Sequence, residues 1–115
     1  NIIRDVGTDI DLQRIYIPQS VLREAQLTPA QLLQRTNQAG LERALTILTK
    51  RAQTYLTHAA RAIDDLHPSY QRPVRYILRL YAELLERIKQ KQYTVYSQRV
   101  SIPTYEKLLF LWHNR

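Results

Sequence analysis

Asn1, Asp5 and Asp9 stand four residues apart, so on a helix they share one face on consecutive turns. Two carboxylates on adjacent turns repel each other, and close to a helix C-terminus the macrodipole opposes them as well. A cation relieves both penalties. Oxygen donors of this kind suit Mg²⁺, which binds through one or two carboxylates together with substrate phosphates. Arg4 and Arg14 flank the stripe, and guanidinium groups hold phosphate oxygens directly. The same residues also suit an acidic face open to water with local arginine partners. A D-x-x-x-D spacing alone does not separate the two readings.

Other chemistries find little support. His58, His67 and His113 have no partner at metal-ligand spacing, and the chain has no cysteine. Gly7 and Gly40 are its only glycines and lie too far apart to build a phosphate-cradling loop. Asp64-Asp65-Leu66-His67 runs into Pro68 and reads as a solvated helix end. The charge balance is strongly basic, with 17 Lys+Arg against 10 Asp+Glu and a net charge of +7. Nucleic acid, an anionic membrane surface and a phosphorylated small molecule all suit such a chain. The basic residues are spread along it, the densest run being Arg87, Lys89, Lys91 and Arg99, which reads as a solvated cationic surface. That spread disfavours a dedicated nucleic-acid-reading helix. A basic nucleic-acid-binding module and a helical interaction module remain the alternatives to an enzyme.

The elements that must position these residues are helical. The 115 residues form one all-α unit, 1–115, with no internal boundary. Residues 1–9 read as the end of a helix and 10–17 as a connecting loop. Pro18 opens a short helix over 19–26, and Thr28-Pro29 gives a second start signal, Thr as N-cap and Pro at N1. From 38 to 66 the apolar positions Leu41, Leu45, Leu48, Ala52, Leu56, Ala59 and Ile63 recur at helical spacing. Ser69 is placed to cap a second long helix over 70–91, with Val74, Ile77, Tyr81, Leu84 and Ile88 on its apolar face. Residues 93–101 read as a loop or a brief extended piece, and 104–113 as a final helix. Trp112 and the cluster Leu108–Leu111 read as core. The longest apolar run has five residues, Leu108 to Trp112, against the roughly 20 needed to span a bilayer. The absence of methionine and a start inside a helical pattern point to a piece of a longer protein.

The run Asn1-Ile2-Ile3-Arg4-Asp5-Val6-Gly7-Thr8-Asp9, followed by Arg14-Ile15-Tyr16-Ile17-Pro18, resembles the second aspartate-rich motif of the squalene and phytoene synthase family. In that family the pattern reads approximately N-I-x-R-D-x-x-x-D, then R-x-Y-x-P. Tyr81-Ala82-Glu83-Leu84-Leu85, residues 93–100 and Lys107-Leu108-Leu109 are similar to its later segments. Thr8 stands where the family often has Glu, and Ala82 where Arg is common. The family's first aspartate-rich motif has no counterpart here. The resemblance implies the C-terminal helical portion of an all-α isoprenoid synthase fold. It implies a prenyltransferase joining two prenyl diphosphates, geranylgeranyl or farnesyl, head to head through a cyclopropyl intermediate in carotenoid or other isoprenoid biosynthesis. Asp5 and Asp9 would then hold Mg²⁺, Asn1, Arg4 and Arg14 the diphosphate, and Tyr16 and Tyr81 would face the reacting cation. NADPH enters only for a squalene product. The chain alone is expected to be inactive, lacking the first motif. It is expected to leave Ile2, Ile3, Val6, Tyr16 and Tyr81 without a lid and so to pair as a homodimer. The complete protein is expected in the cytoplasm, peripheral at a membrane surface, with no nucleic-acid partner.

Overall fold

The computed structural model describes residues 1–113, and every regular element among them is helical: α1 Val6–Asp11, α2 Gln19–Glu24, α3 Pro29–Leu33, α4 Gln38–Arg61, a 3₁₀ turn Ile63–Asp65, α5 Pro68–Gln90 and α6 Thr104–His113. Helical winding starts before α1, because Asp5 N donates to Asn1 O at 2.9 Å and Asp9 N to Asp5 O at 2.8 Å. It also runs past Asp9 into the segment expected as loop. Val6 and Ile10 are one turn apart and both buried, so burial carries the helix on to Asp11.

Thr28 caps α3 as its sequence predicts: its Oγ1 accepts from Gln31 N at 3.1 Å while Gln31 Oε1 accepts from Thr28 N at 3.0 Å. Pro18 is the N-cap of α2, with ψ at 142°, and the helix begins at Gln19 as expected but ends at Glu24. The start of the next long helix after α4 differs from expectation. α5 begins at Pro68, two residues early. His67 rather than Ser69 is its N-cap, the ring accepting from Ser69 N at 3.4 Å. The long helix expected to 66 ends at Arg61, and a 3₁₀ turn follows.

Helix ends in this glycine-poor chain use an unexpected device. Gln13, Gln26, Arg35 and Gln92 follow α1, α2, α3 and α5 at left-handed φ values of 54–55°. At each, the next residue donates back across the end: Arg14 N to Asp9 O, Leu27 N to Leu22 O, Thr36 N to Gln31 O and Tyr93 N to Ile88 O. These are Schellman closures without glycine.

α4 and α5 form an antiparallel hairpin, each arm about 35 Å long at 1.5 Å per residue. The core gathers at one end of it. There α1, α2, α3 and the 93–102 segment pack on the start of α4 and the end of α5, burying Ile3, Val6, Ile10, Val21, Leu32, Leu41, Leu45, Leu84, Ile88, Val95 and Val100. Toward the other end cover is thinner: Ile63 of the 3₁₀ turn is buried, but Tyr55, Ala59 and Ile77 are exposed although their spacing predicts a buried stripe. The radius of gyration, 15.9 Å, accordingly exceeds the roughly 13 Å of a compact domain near this size. Trp112 and Leu108, expected as core, are 64% and 60% exposed, and Leu109 and Leu111 are also exposed. α6 touches the body through Phe110, under the Arg79 guanidinium at 5.0 Å, through Glu106, bonded to Arg87, and through Lys107 O, which accepts from the Tyr76 hydroxyl at 3.2 Å.

Candidate active site

α1 is the centre of the site. Asp5 lies at its N-terminus and Asp9 one turn on, both part-buried. Arg4 grips Asp5 in a fork, Nε donating to Oδ1 at 2.7 Å and Nη2 to Oδ2 at 2.9 Å. Arg99 reaches the same carboxylate from the far end of the chain, its Nε donating to Oδ1 at 3.0 Å. The hydrogen bond from Arg4, joined by that from Arg99, holds the Asp5 carboxyl down at about 2, against the opposing pull of partial burial. Arg4 is raised in turn, chiefly by its bond to Asp5. The Asp9 carboxylate makes no hydrogen bond or ion pair among the described residues; its backbone oxygen accepts the α1 closure from Arg14 N at 2.8 Å.

What holds α1 in place is the 93–102 segment. Gly7 is the contact point: a Cβ there would lie 2.7 Å from Val95 O and 2.9 Å from Tyr96 O, so only glycine lets the two backbones meet. Arg35, just past α3, fastens the same junction. Its guanidinium donates to Tyr96 O, to the Asp11 carboxylate and, at 3.1 Å, to Gly7 O. Tyr96 donates its hydroxyl to Thr36 O at 3.0 Å, and burial pushes its phenol up to about 12. Gln38 at the start of α4 donates to Gln92 O and Tyr93 O, at 3.3 and 3.1 Å.

Three clefts surround α1. The first, about 370 Å³, is apolar and lies between α4 and α5; Leu56, Leu84, Leu85 and Ile88 line it, with Asn1, Arg4 and Tyr81 at the α1 end. The second is narrow and holds Asp9, Arg14 and Tyr16 with Ile2 and Ile15. The third, about 610 Å³, is polar, with Arg4, Thr8, Arg35, Ser97 and Arg99 on its walls. The seven residues singled out by sequence therefore group around one helix but not around one cavity. Tyr81 shares a cleft with Asn1 and Arg4, Tyr16 shares another with Asp9 and Arg14, and α1 stands between. Ile3 and Val6, expected without a lid, are buried in the chain's own core, whereas Ile2, Tyr16 and Tyr81 are exposed. Arg35 and Arg99 were not legible as site residues. Arg99 lies 94 positions from Asp5, and no spacing rule links them. Arg87, expected on a solvated surface, is instead bonded to Glu83 at 2.8 Å and to Glu106.

Two carboxylates one helical turn apart are hard oxygen donors, and one of them has no partner among the described residues. No group of three or more His, Cys, Asp or Glu suited to a metal occurs among those residues. The pair therefore fits a cation that takes one or two carboxylates and completes its shell elsewhere, as Mg²⁺ does with phosphate oxygens.

Fold and site together define an all-α protein in which an aspartate helix, held by arginines, borders an apolar cleft. The sequence model of the family Squalene/phytoene synthase matches residues 1–106, and the chain belongs to that family. It is 35% identical to a phytoene synthase of Arthrospira platensis over 96% of this chain and 36% of that protein. It is 34% identical to a 15-cis-phytoene synthase of Synechocystis sp., over 96% of this chain and 33% of that protein. A bifunctional lycopene cyclase/phytoene synthase of Gibberella fujikuroi is 32% identical over 97% of this chain and 19% of that protein. The chain thus spans about a third or less of these relatives' length.

Proposed function

We propose that this chain supplies one diphosphate-binding face and part of the prenyl cleft of a phytoene or squalene synthase-like prenyltransferase. The observation that carries the reading is the α1 face, with Asp5 and Asp9 one turn apart beside Arg4 and an apolar cleft, in a chain of this family. The substrates are two prenyl diphosphates, geranylgeranyl or farnesyl, joined head to head in carotenoid or other isoprenoid biosynthesis. NADPH is required only if the product is squalene.

Asp5 and Asp9 would hold Mg²⁺, which when bound neutralises charge on the departing diphosphate. Arg14 binds diphosphate oxygens. It is exposed, with its side chain lining the Asp9 cleft. Asn1 offers an amide donor at the mouth of the apolar cleft. Leu56, Leu84, Leu85 and Ile88 take the prenyl chain and exclude water, which would otherwise quench a carbocation. Tyr81 presents an aromatic ring at that cleft, and Tyr16 one beside Asp9; a ring face stabilises a passing cation. Arg4 serves the diphosphate chiefly through Asp5, to which its guanidinium is committed.

For partners we propose a membrane surface and a second copy of the chain. Leu108, Leu111 and Trp112 form an exposed apolar face with Arg72, Tyr76 and Ile77 alongside. The proposed contact is peripheral, with the complete protein in the cytoplasm. Among the described residues no helix is long and apolar enough to cross a membrane. The test of the activity is incubation of the full-length protein with geranylgeranyl or farnesyl diphosphate and Mg²⁺, followed by extraction of hydrocarbon. A C40 or C30 product supports the reading, and recovery of unchanged substrate from a folded full-length protein contradicts it.

A further inference from the structure

Asp5 is bound more completely than a free metal ligand needs to be. A carboxylate offers about four lone-pair positions. Arg4 takes one on each oxygen and Arg99 takes a second on Oδ1, so a single position on Oδ2 is left. Arg99 belongs to a fixed segment, although its side chain is 54% exposed. Its neighbour Val100 is buried, and so are Tyr96 and Ile102. The segment rests on Gly7, two residues from Asp5, and is pinned there by Arg35. Arg4 and Arg99 set two positive charges against the Asp5 and Asp9 carboxylates, and Arg14 in the Asp9 cleft adds a third. A bare divalent cation gains little from such a group, whereas a diphosphate brings the negative charge that the arginines have cancelled.

Resting on the carboxylate reading above, we infer that Arg99 is a positioning residue: with Arg4 it sets Asp5 as a one-oxygen donor and offsets the charge of the Asp5–Asp9 pair, so that a divalent cation is taken up together with a diphosphate rather than alone. Removing one unit charge from beside Asp5, at an effective dielectric between protein surface and water, changes cation affinity by about tenfold.

Mn²⁺ titration of the full-length protein, followed by the electron paramagnetic resonance signal of free Mn²⁺ with and without inorganic pyrophosphate, tests this. The unsubstituted protein should bind Mn²⁺ weakly alone and at least about tenfold more tightly with pyrophosphate. Arg99→Gln should bind Mn²⁺ alone about tenfold more tightly and depend less on pyrophosphate. Arg99→Lys, which keeps the charge, should behave as the unsubstituted protein, and it serves as the test if Arg99→Gln does not fold. Equal or weaker Mn²⁺ binding by Arg99→Gln, or tightening by Arg99→Lys, overturns the inference. Asp9→Asn separates this failure from that of the underlying reading. If it leaves Mn²⁺ binding unchanged in every background, the metal role of α1 falls and this inference with it. If it abolishes binding while Arg99→Gln has no effect, only the role of Arg99 falls.

Discussion

At Gly7 an added methyl group would meet two backbone carbonyl oxygens, not the movable end of a side chain. Relief must come from moving the 93–102 segment off α1. Gly7→Ala should therefore cost about 1–3 kcal/mol, as overpacking of a tight contact does, read as a lower urea midpoint. Asp5 gives a second residue-level expectation. Its folded-state pKa of about 2 lies below its ordinary 3.8, so its pairing stabilises the fold above pH 3.8 and is lost as the pH falls through 2. The melting temperatures of the unsubstituted and Asp5→Asn proteins should differ by a constant amount at neutral pH and converge towards pH 2. A gap independent of pH would mean that Asp5 acts by shape and not by charge. Arg14→Ala should weaken pyrophosphate binding by about 1.5–3 kcal/mol, the range for one charge-assisted contact. Calorimetric titration measures this.

The helices were readable because they are long or carry a strong local signal. The spacing from Leu41 onward, the Thr28-Pro29 start and the Thr104–His113 end all correspond to observed elements. What spacing does not contain is which part of a stripe finds a partner. Leu45 and Ile88 are buried because α1–α3 and the 93–102 segment cover them, while Tyr55 and Ile77 repeat the same pattern without cover. The site shows the same division. Its α1 residues were legible as an i, i+4 stripe, whereas Arg35 and Arg99 arrive through tertiary packing. Helix ends were also hidden, since four of them close on Gln or Arg where glycine is the usual signal. Each such residue sits in a region that costs an L-residue about 1–2 kcal/mol. Gln26 is exposed there, and Gln26→Gly should stabilise the chain by roughly 0.5–1 kcal/mol after the entropy of glycine is subtracted. A lower melting temperature for that variant would show that the Gln26 side chain contributes more than its backbone strain removes.

For the whole molecule, the exposed face of α6 and the start of α5 present Leu108, Leu111, Trp112 and Ile77 together with the Arg72 guanidinium. An apolar face of this kind favours association. Light scattering of this chain at micromolar concentration should give a dimer, and Leu108→Ser with Trp112→Ser should shift it to monomer. A monomer before substitution would remove the proposed pairing. The central claim concerns α1 itself, as the helix whose carboxylates carry the cation for diphosphate departure. Its most direct test is hydrocarbon formation from geranylgeranyl diphosphate by the full-length protein and its Asp9→Asn variant across a Mg²⁺ titration, with melting curves for both. The account predicts that Asp9→Asn loses about three orders of magnitude in rate with an unchanged melting temperature. A folded Asp9→Asn protein that keeps most of its activity at every Mg²⁺ concentration would contradict it.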